Sequence, residues 1–227
     1  MGTILSRIHQ IELTNRCNLN CVYCANHLQL REKSFMNLQT FSRTLDIASR
    51  LNQKEIWLHG LGESLLHPQF TLFCRLARKY LPKTKIQVST NAMLMTEDIA
   101  DVLAELNIRV HVSIHLNVPD QEALAKVPRM LQSRGILDYI ACNPVISAND
   151  WAGKVNWPVD KVGATCGWIG LGWMMVLVDG RISACCVDAD GECIHGSVFH
   201  PIEDIIELQT RRFALCANCV DDPEKFK

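Results

Sequence analysis

The chain has 227 residues, 48% hydrophobic and 21% charged, with a formal net charge of -1. That suffices for one substantial domain and a small appendage, but not for an elaborated eight-fold barrel, which takes about 250 residues. The near-zero charge excludes bulk electrostatic attraction to nucleic acid or anionic lipid. No apolar run reaches the roughly 18 residues of a membrane span, and no signal-peptide pattern opens the chain. The expectation is a cytoplasmic protein with no nucleic-acid or membrane partner.

Strand-like and helix-like stretches alternate along the first two thirds. Ile8–Leu13 alternates apolar and polar residues as a strand does, then runs into Thr14-Asn15. Leu38, Phe41, Leu45 and Ala48 recur at helical spacing, and Glu55–His59 reads as a second strand. Leu72, Phe73, Leu76, Ala77 and Tyr80 mark a helix that Pro82 stops, and Lys85–Ser89 a third strand. Ile99, Val102, Leu103 and Leu106 form a helical stripe that Thr96 can cap. Ile108–Ile114 follows as a fourth strand, then a helix from Pro119 to Arg134 that Pro128 should kink or interrupt and Gly135 should end. Ile136–Cys142 is the fifth strand. Repeated βα units with five strands predict a parallel sheet with right-handed crossovers, too short to close: an α/β fold of the partial, open βα-barrel type.

In such folds chemistry gathers beyond the C-terminal ends of the strands. The unusual polar residues fall there. Cys17, Cys21 and Cys24 follow strand one, Gly60-Leu61-Gly62-Glu63-Ser64 strand two, and Thr90-Asn91 strand three. Ser113 and His115 end strand four, and Asn143 follows strand five.

From about residue 143 the character changes to a loop-rich connection, in which Trp151, Lys154, Trp157 and Asp160 are candidate substrate contacts or seals of the open barrel edge. Trp173–Val178 and Arg181–Ala184 flank Asp179-Gly180, a hairpin signal, and Pro201–Arg212 reads as a short helix. The expected division is 1–145 for the barrel and 146–227 for a connecting loop and a small C-terminal β-hairpin/helix module. That module is too small for its own apolar core and calls for a metal centre.

Eleven cysteines, an odd number, with no secretion signal make disulfides a poor explanation. Cys17-x3-Cys21-x2-Cys24 offers three thiolates on one loop, enough for three corners of a cubane cluster with the fourth iron free. Structural zinc wants four ligands, and His27 is the nearby residue that could supply a fourth. Glu12 and Arg16 are a candidate ion pair shaping that loop. Cys74 and Cys142 sit on apolar faces as packing residues. His59, His67, His111 and His115 are candidates for substrate contact, His115 lying nearest the predicted mouth.

These residues resemble the radical S-adenosylmethionine (SAM) enzymes, whose signature is a Cys-x3-Cys-x2-Cys loop with an aromatic residue, here Tyr23, before the last cysteine. The resemblance implies that Cys17, Cys21 and Cys24 hold a [4Fe-4S] cluster whose open iron binds SAM. Reductive cleavage of SAM would then give a 5'-deoxyadenosyl radical that abstracts a substrate hydrogen atom. Gly60, Gly62 and Glu63 resemble the family's Gly-x-Gly-Glu-Pro motif, with Ser64 where proline is usual. Glycines permit close backbone approach to a ligand, and the Glu63 carboxylate suits the SAM ammonium. Ser89, Asn91 and Ser113 resemble the strand-end positions that contact SAM, whereas the fifth-strand motif is not evident in Tyr139–Val145.

Cys166, Cys185, Cys216 and Cys219, with the hairpin between them, resemble the family's twitch module, a truncated SPASM domain, which holds one auxiliary [4Fe-4S] cluster. Either Cys186 or Cys193 could replace Cys185, and zinc is the rival occupant. The resemblance implies an electron donor of flavodoxin or ferredoxin type. It also implies a small-molecule dehydrogenase, with the auxiliary cluster oxidising the substrate radical. Peptide or protein modification is the alternative, against which the chain starts almost at its first strand, with no room for an N-terminal peptide-recognition domain. A zinc-stabilised, non-catalytic binding module is the alternative of another class.

Overall fold

The structure, a computed structural model, describes residues 3–51, 53–115, 121–143, 150–156, 164–209, 213–219 and 221–222. The elements in chain order are β1 (Thr3–Leu5), β2 (Arg7–Ile11), α1 (Leu38–Arg50), β3 (Glu55–Trp57), α2 (Phe70–Tyr80), β4 (Lys85–Thr90) and α3 (Glu97–Glu105). They continue with β5 (Arg109–His115), α4 (Gln121–Ser133), β6 (Leu137–Asn143), β7 (Ala164–Thr165), α5 (Gly167–Gly170) and β8 (Trp173–Val176). The last are β9 (Arg181–Ser183), β10 (Ile194–Ser197), β11 (Glu207–Gln209) and β12 (Asp221–Asp222).

An eight-stranded sheet in the order β10-β9-β8-β2-β3-β4-β5-β6 forms the scaffold. Strands β2 to β6 are parallel and lie in sequence order, which is the partial-barrel expectation. Because the order never reverses, right-handed crossovers put every connecting helix on the same face. That face is the core. Ile56, Leu58, Ile86, Val88, Val110 and Val112 are at most 1% exposed and pack with Phe41 and Leu45 of α1, Phe73 and Ala77 of α2 and Leu103 of α3. Each of the larger side chains, from valine to phenylalanine, contributes about 1.5–3 kcal/mol by leaving water.

Alternation sends the intervening residues to the inner face: Trp57 on β3 and His59 just after it, Gln87 and Ser89 on β4, and His111, Ser113 and His115 on β5. Parallel pairing of Trp57 with Gln87, Gln87 with Arg109 and Ser89 with His111 keeps them on one side. The inner wall is therefore polar and aromatic while the outer wall is aliphatic.

Local chemistry sets the element ends. Asn37 caps α1 by accepting from the Thr40 N–H at 2.8 Å. Thr96 caps α3 through Ile99 N–H at 3.2 Å, as its position predicts. Gly135, with φ +69, follows the end of α4. Pro128 sits inside α4 without ending it: the helix spans Gln121–Ser133.

The tail departs from expectation in one element. Among the described residues 201–209 there is no α-helix: a single 3-10 turn at Ile202–Asp204 leads into β11, which pairs antiparallel with β1, and 210–212 lie outside the described residues. A pairing across two hundred residues leaves no periodicity for sequence reading to find. The predicted hairpin is present, with Gly180 at φ +89 and Val176 opposite Ile182. Its first strand, β8, also runs parallel to β2, so the hairpin extends the barrel sheet. Among the described residues no helix is long and apolar enough to cross a membrane.

Candidate active site

A cavity of about 160 Å³ opens at the C-terminal ends of the parallel strands. Cys17, Cys21 and Cys24 line it, together with Gly60, Gly62, Glu63, Ser89, Asn91 and Ser113. Two predicted residues stand behind that wall. Ser64 is buried and donates its hydroxyl to the Leu58 carbonyl at 2.8 Å. Tyr23 is buried and its hydroxyl lies 2.6 Å from His115 Nδ1.

Glu63 is 4% exposed, and both its oxygens are engaged. Oε1 accepts from Thr90 Oγ1 at 2.8 Å and Leu65 N–H at 3.1 Å, and Oε2 from Asn91 N–H at 2.8 Å. Burial raises its pKa above the usual carboxylate value, against the lowering effect of those three hydrogen bonds. A cationic ligand group in the cavity would relieve that cost. Asn91 also donates its side-chain amide to Asn18 Oδ1 at 2.7 Å, tying the end of β4 to the cysteine loop.

Cys17 and Cys24 are held toward the neutral form by burial. Burial pushes Cys24 up to about 11 and raises Cys17, partly offset by N–H donors from Asn26 and Leu19. A cationic cluster is what such a set of thiols needs to ionise. Among the described residues no three His, Cys, Asp or Glu side chains are grouped to hold a single metal ion. A tetrahedral zinc site would bring its sulfurs to about 3.8 Å from one another. Three thiols and a carboxylate lining one cavity suit a group larger than a single ion.

Gly60 and Gly62 are required by close packing against protein, not by turn geometry. A Cβ on Gly60 would lie 2.6 Å from Glu12 Cβ, and one on Gly62 would lie 2.3 Å from the Thr14 carbonyl oxygen and 2.5 Å from that of Arg16. The two glycines let the Glu63 loop press against the backbone entering the cysteine loop.

The Glu12–Arg16 pair expected from sequence is not formed. Glu12, fully buried, takes a two-pronged bond from Arg31 at 2.6 and 2.8 Å, and accepts from Leu61 N–H at 3.3 Å and Val178 N–H at 3.0 Å. Arg16 instead stacks over Phe35 at 4.9 Å and donates to the Lys33 carbonyl. Spacing favoured the near neighbour; the fold brings Arg31 over, where a planar fork matches a carboxylate.

Other contributors escaped sequence reading. Asn26 lines the cavity and donates to the carbonyls of Asn15 and Leu61, both at 2.9 Å. Lys33 Nζ donates to Asn26 O at 2.7 Å and Asn15 O at 3.2 Å. Nothing in a lone Asn or Lys marks such a role. Trp151, named only as a candidate contact, lines the cavity with φ 56 and donates to the Tyr23 carbonyl at 3.2 Å. A bulky residue in the left-handed region is strained, and here the strain sits at the site's edge. Of the histidines, His59 and His115 line the cavity, His111 lies 3.0 Å from Asp138, and His67 is bound to the Met36 carbonyl. Trp157 and Asp160 lie outside the described residues.

In the tail, Cys166, Cys185, Cys186 and Cys219 perturb one another electrostatically, and Cys193 does so with Cys185 and Cys216. Burial pushes Cys166 up to about 11. Buried Asp188 organises the turn after the hairpin, accepting from Ser183 Oγ at 2.7 Å, Glu192 N–H at 2.7 Å and Cys193 N–H at 2.8 Å. Cys74 is a fully buried core residue, as expected.

The family model of the radical SAM superfamily matches residues 11–141. Among curated proteins, the S-adenosyl-L-methionine-dependent 2-deoxy-scyllo-inosamine dehydrogenase of Niallia circulans is 28% identical over 116 residues, covering 48% of this chain and 44% of that protein. The chain spans less than half the length of the curated relatives it first matches, between 27% and 44%. Among solved structures, BtrN in complex with AdoMet and 2-DOIA superposes with a TM-score of 0.77 at 23% identity, over 90% of this chain and 83% of that one. The enzyme anSMEcpe with bound AdoMet and the Cp18Cys peptide gives 0.63 at 12% identity, over 88% and 80%.

Proposed function

The chain belongs to the radical SAM superfamily, and from its site we propose a dehydrogenase-type radical SAM enzyme acting on a small, hydrogen-bonding molecule. The observation carrying the SAM assignment is that one cavity is lined by all three loop cysteines and by the ends of three strands, with Glu63 fixed among them. In this reading Cys17, Cys21 and Cys24 hold the [4Fe-4S] cluster. Glu63 takes the SAM ammonium, and Gly62, Ser89, Asn91 and Ser113 shape the rest of the pocket. Once bound, the cluster and SAM supply one-electron cleavage of SAM and removal of a hydrogen atom from substrate. The chain's own work is positioning and exclusion of water: Thr90, Asn91 and Leu65 orient Glu63, and the Trp151 segment borders the pocket.

The polar inner wall supports a small polar substrate. Asn26, His59 and His115 line the cavity beside Ser89, Asn91 and Ser113. Polar side chains so placed suit a ligand rich in hydroxyl or amino groups. The tail cysteines support an auxiliary [4Fe-4S] cluster on Cys166, Cys185, Cys216 and Cys219, accepting the electron left on substrate. On this reading 1–145 is the radical-generating part and 146–227 the electron-accepting part.

Anaerobic reconstitution with iron, sulfide and zinc analysis, then dithionite and SAM, tests it. The expected result is about eight irons per chain and release of 5'-deoxyadenosine. Cys24→Ala should abolish that release, and Cys219→Ala should remove about four irons. Zinc in the tail would overturn the electron-acceptor role, and retained cleavage in Cys24→Ala the SAM site. Stimulation of SAM cleavage by peptides but not by aminocyclitols would turn the substrate reading to peptide modification.

A further inference from the structure

Lys33 stands where the two ends of the cysteine loop meet. Its Nζ donates to the carbonyl oxygen of Asn15, just before Cys17, at 3.2 Å. It also donates to both oxygens of Asn26, just after Cys24: the carbonyl at 2.7 Å and Oδ1 at 2.5 Å. Asn15 is fully buried and Asn26 is 6% exposed, so the ammonium is held against interior groups although the side chain as a whole is half-buried. Asn26 in turn lines the SAM cavity, and its own N–H donates to Cys24 Sγ at 3.5 Å. Through Asn26 a cation is therefore linked to one of the loop thiols.

The hydrogen bonds alone do not call for a lysine. Gln29 Nε2 already donates to the same two backbone carbonyls, at 3.1 Å for Asn15 and 2.9 Å for Asn26. What a neutral donor cannot supply is the charge, and that charge is uncompensated: among the described residues no carboxylate pairs with Lys33. Glu12, whose field reaches Lys33, is held by Arg31 at 2.6 Å. The Lys33 field reaches the thiols instead. Burial raises the pKa of Cys17 and of Cys24, and Lys33 opposes it at both.

Three thiolates around a four-iron core make a net negative group, and one-electron reduction adds to that charge. A fixed cation beside such a group stabilises its reduced form more than its oxidised form. We propose that Lys33 sets the reduction potential of the cluster held by Cys17, Cys21 and Cys24, an inference that rests on the cluster assignment above. Lys33 raises that potential, which brings the cluster within reach of an external one-electron donor. It acts through its field and not by contact, since it does not line the SAM cavity. A unit charge acting over about 10 Å at an effective dielectric of about 20 shifts an equilibrium roughly tenfold.

A dithionite redox titration of the anaerobically reconstituted protein without SAM, followed by electron paramagnetic resonance, tests it. The reduced-cluster signal that Cys24→Ala lacks identifies the loop cluster. Lys33→Gln keeps an N–H donor and Lys33→Met keeps only bulk. Both lose the charge, so each should make reduction about tenfold less favourable, a midpoint lower by about 59 mV for a one-electron couple. Lys33→Arg keeps the charge and should stay within about twofold of the parent. All three should carry as much iron as the parent. An unchanged midpoint in both neutral variants, or an equal shift in Lys33→Arg, would overturn the proposal while leaving the cluster in place. Loss of iron from the neutral variants would make Lys33 a staple of the loop and overturn it as well. A parent with no Cys24-dependent signal would instead remove the cluster assignment, and the proposal with it.

Discussion

Replacing Glu12 with Gln should do more damage than any other single-atom change near the site. Glu12 and Arg31 are ion-paired at 2.6 Å, with side-chain exposures of 0% and 5%. The carboxylate also receives the N–H groups of Leu61 and Val178, so it joins β2, the Glu63 loop and the hairpin turn. The amide keeps the shape but removes the charge and turns an N–H₂ toward groups that are already donors. A buried guanidinium left without its counter-charge costs about 3–5 kcal/mol. At a urea slope of about 2–3 kcal/mol per molar, the unfolding midpoint should fall by about 1–2.5 M. Glu12→Met with Arg31→Met removes both charges and should recover much of that loss, because well-packed apolar pairs often match buried ion pairs. Parallel urea titrations of parent, single and double variants under anaerobic conditions measure it. A Glu12→Gln loss below about 1 kcal/mol, or a double variant weaker than both singles together, would refute the reasoning.

Gly62→Ala forces a Cβ to within 2.3 Å of one backbone oxygen and 2.5 Å of another. It should cost about 3 kcal/mol and lower iron retention at the cysteine loop, whereas Gly167→Ala, with open space around its Cβ, should do neither. Glu63→Gln should weaken SAM binding about tenfold or more in equilibrium dialysis, since it removes the charge facing the ammonium. Burial raises the folded pKa of Glu63, so between its ordinary value of 4.5 and that raised value the unfolded chain has already released the proton. The SAM-free parent should therefore lose stability as pH rises through that window, and Glu63→Gln should lack that slope. Burial lowers His9 to about 4 from 6.5, with Glu55 acting weakly the other way, so the unfolded chain takes up the proton first as pH falls. Stability should decline from pH 6.5 toward pH 4 by about 2 kcal/mol after solvent screening. His9→Phe, which keeps a ring on Trp173, should flatten that decline, and an unchanged slope in urea midpoints would count against it.

The family, the parallel βα order and the cavity's main lining were legible in the chain because each is local. A Cys-x3-Cys-x2-Cys loop lies within eight residues, a strand alternates over five or six, and a helix repeats over four. Their order along the chain then places each polar loop at the same end of the sheet. What the tertiary structure decided is non-local. Arg31 rather than Arg16 meets Glu12, and Thr90 and Asn91 orient Glu63 from the next strand. Residues 207–209 pair with 3–5, and Gly60 and Gly62 are small because two backbones cross there. Sequence carries short-range periodicity and composition, whereas which distant side chains share a buried volume is settled only when the sheet curves and the chain packs back on itself.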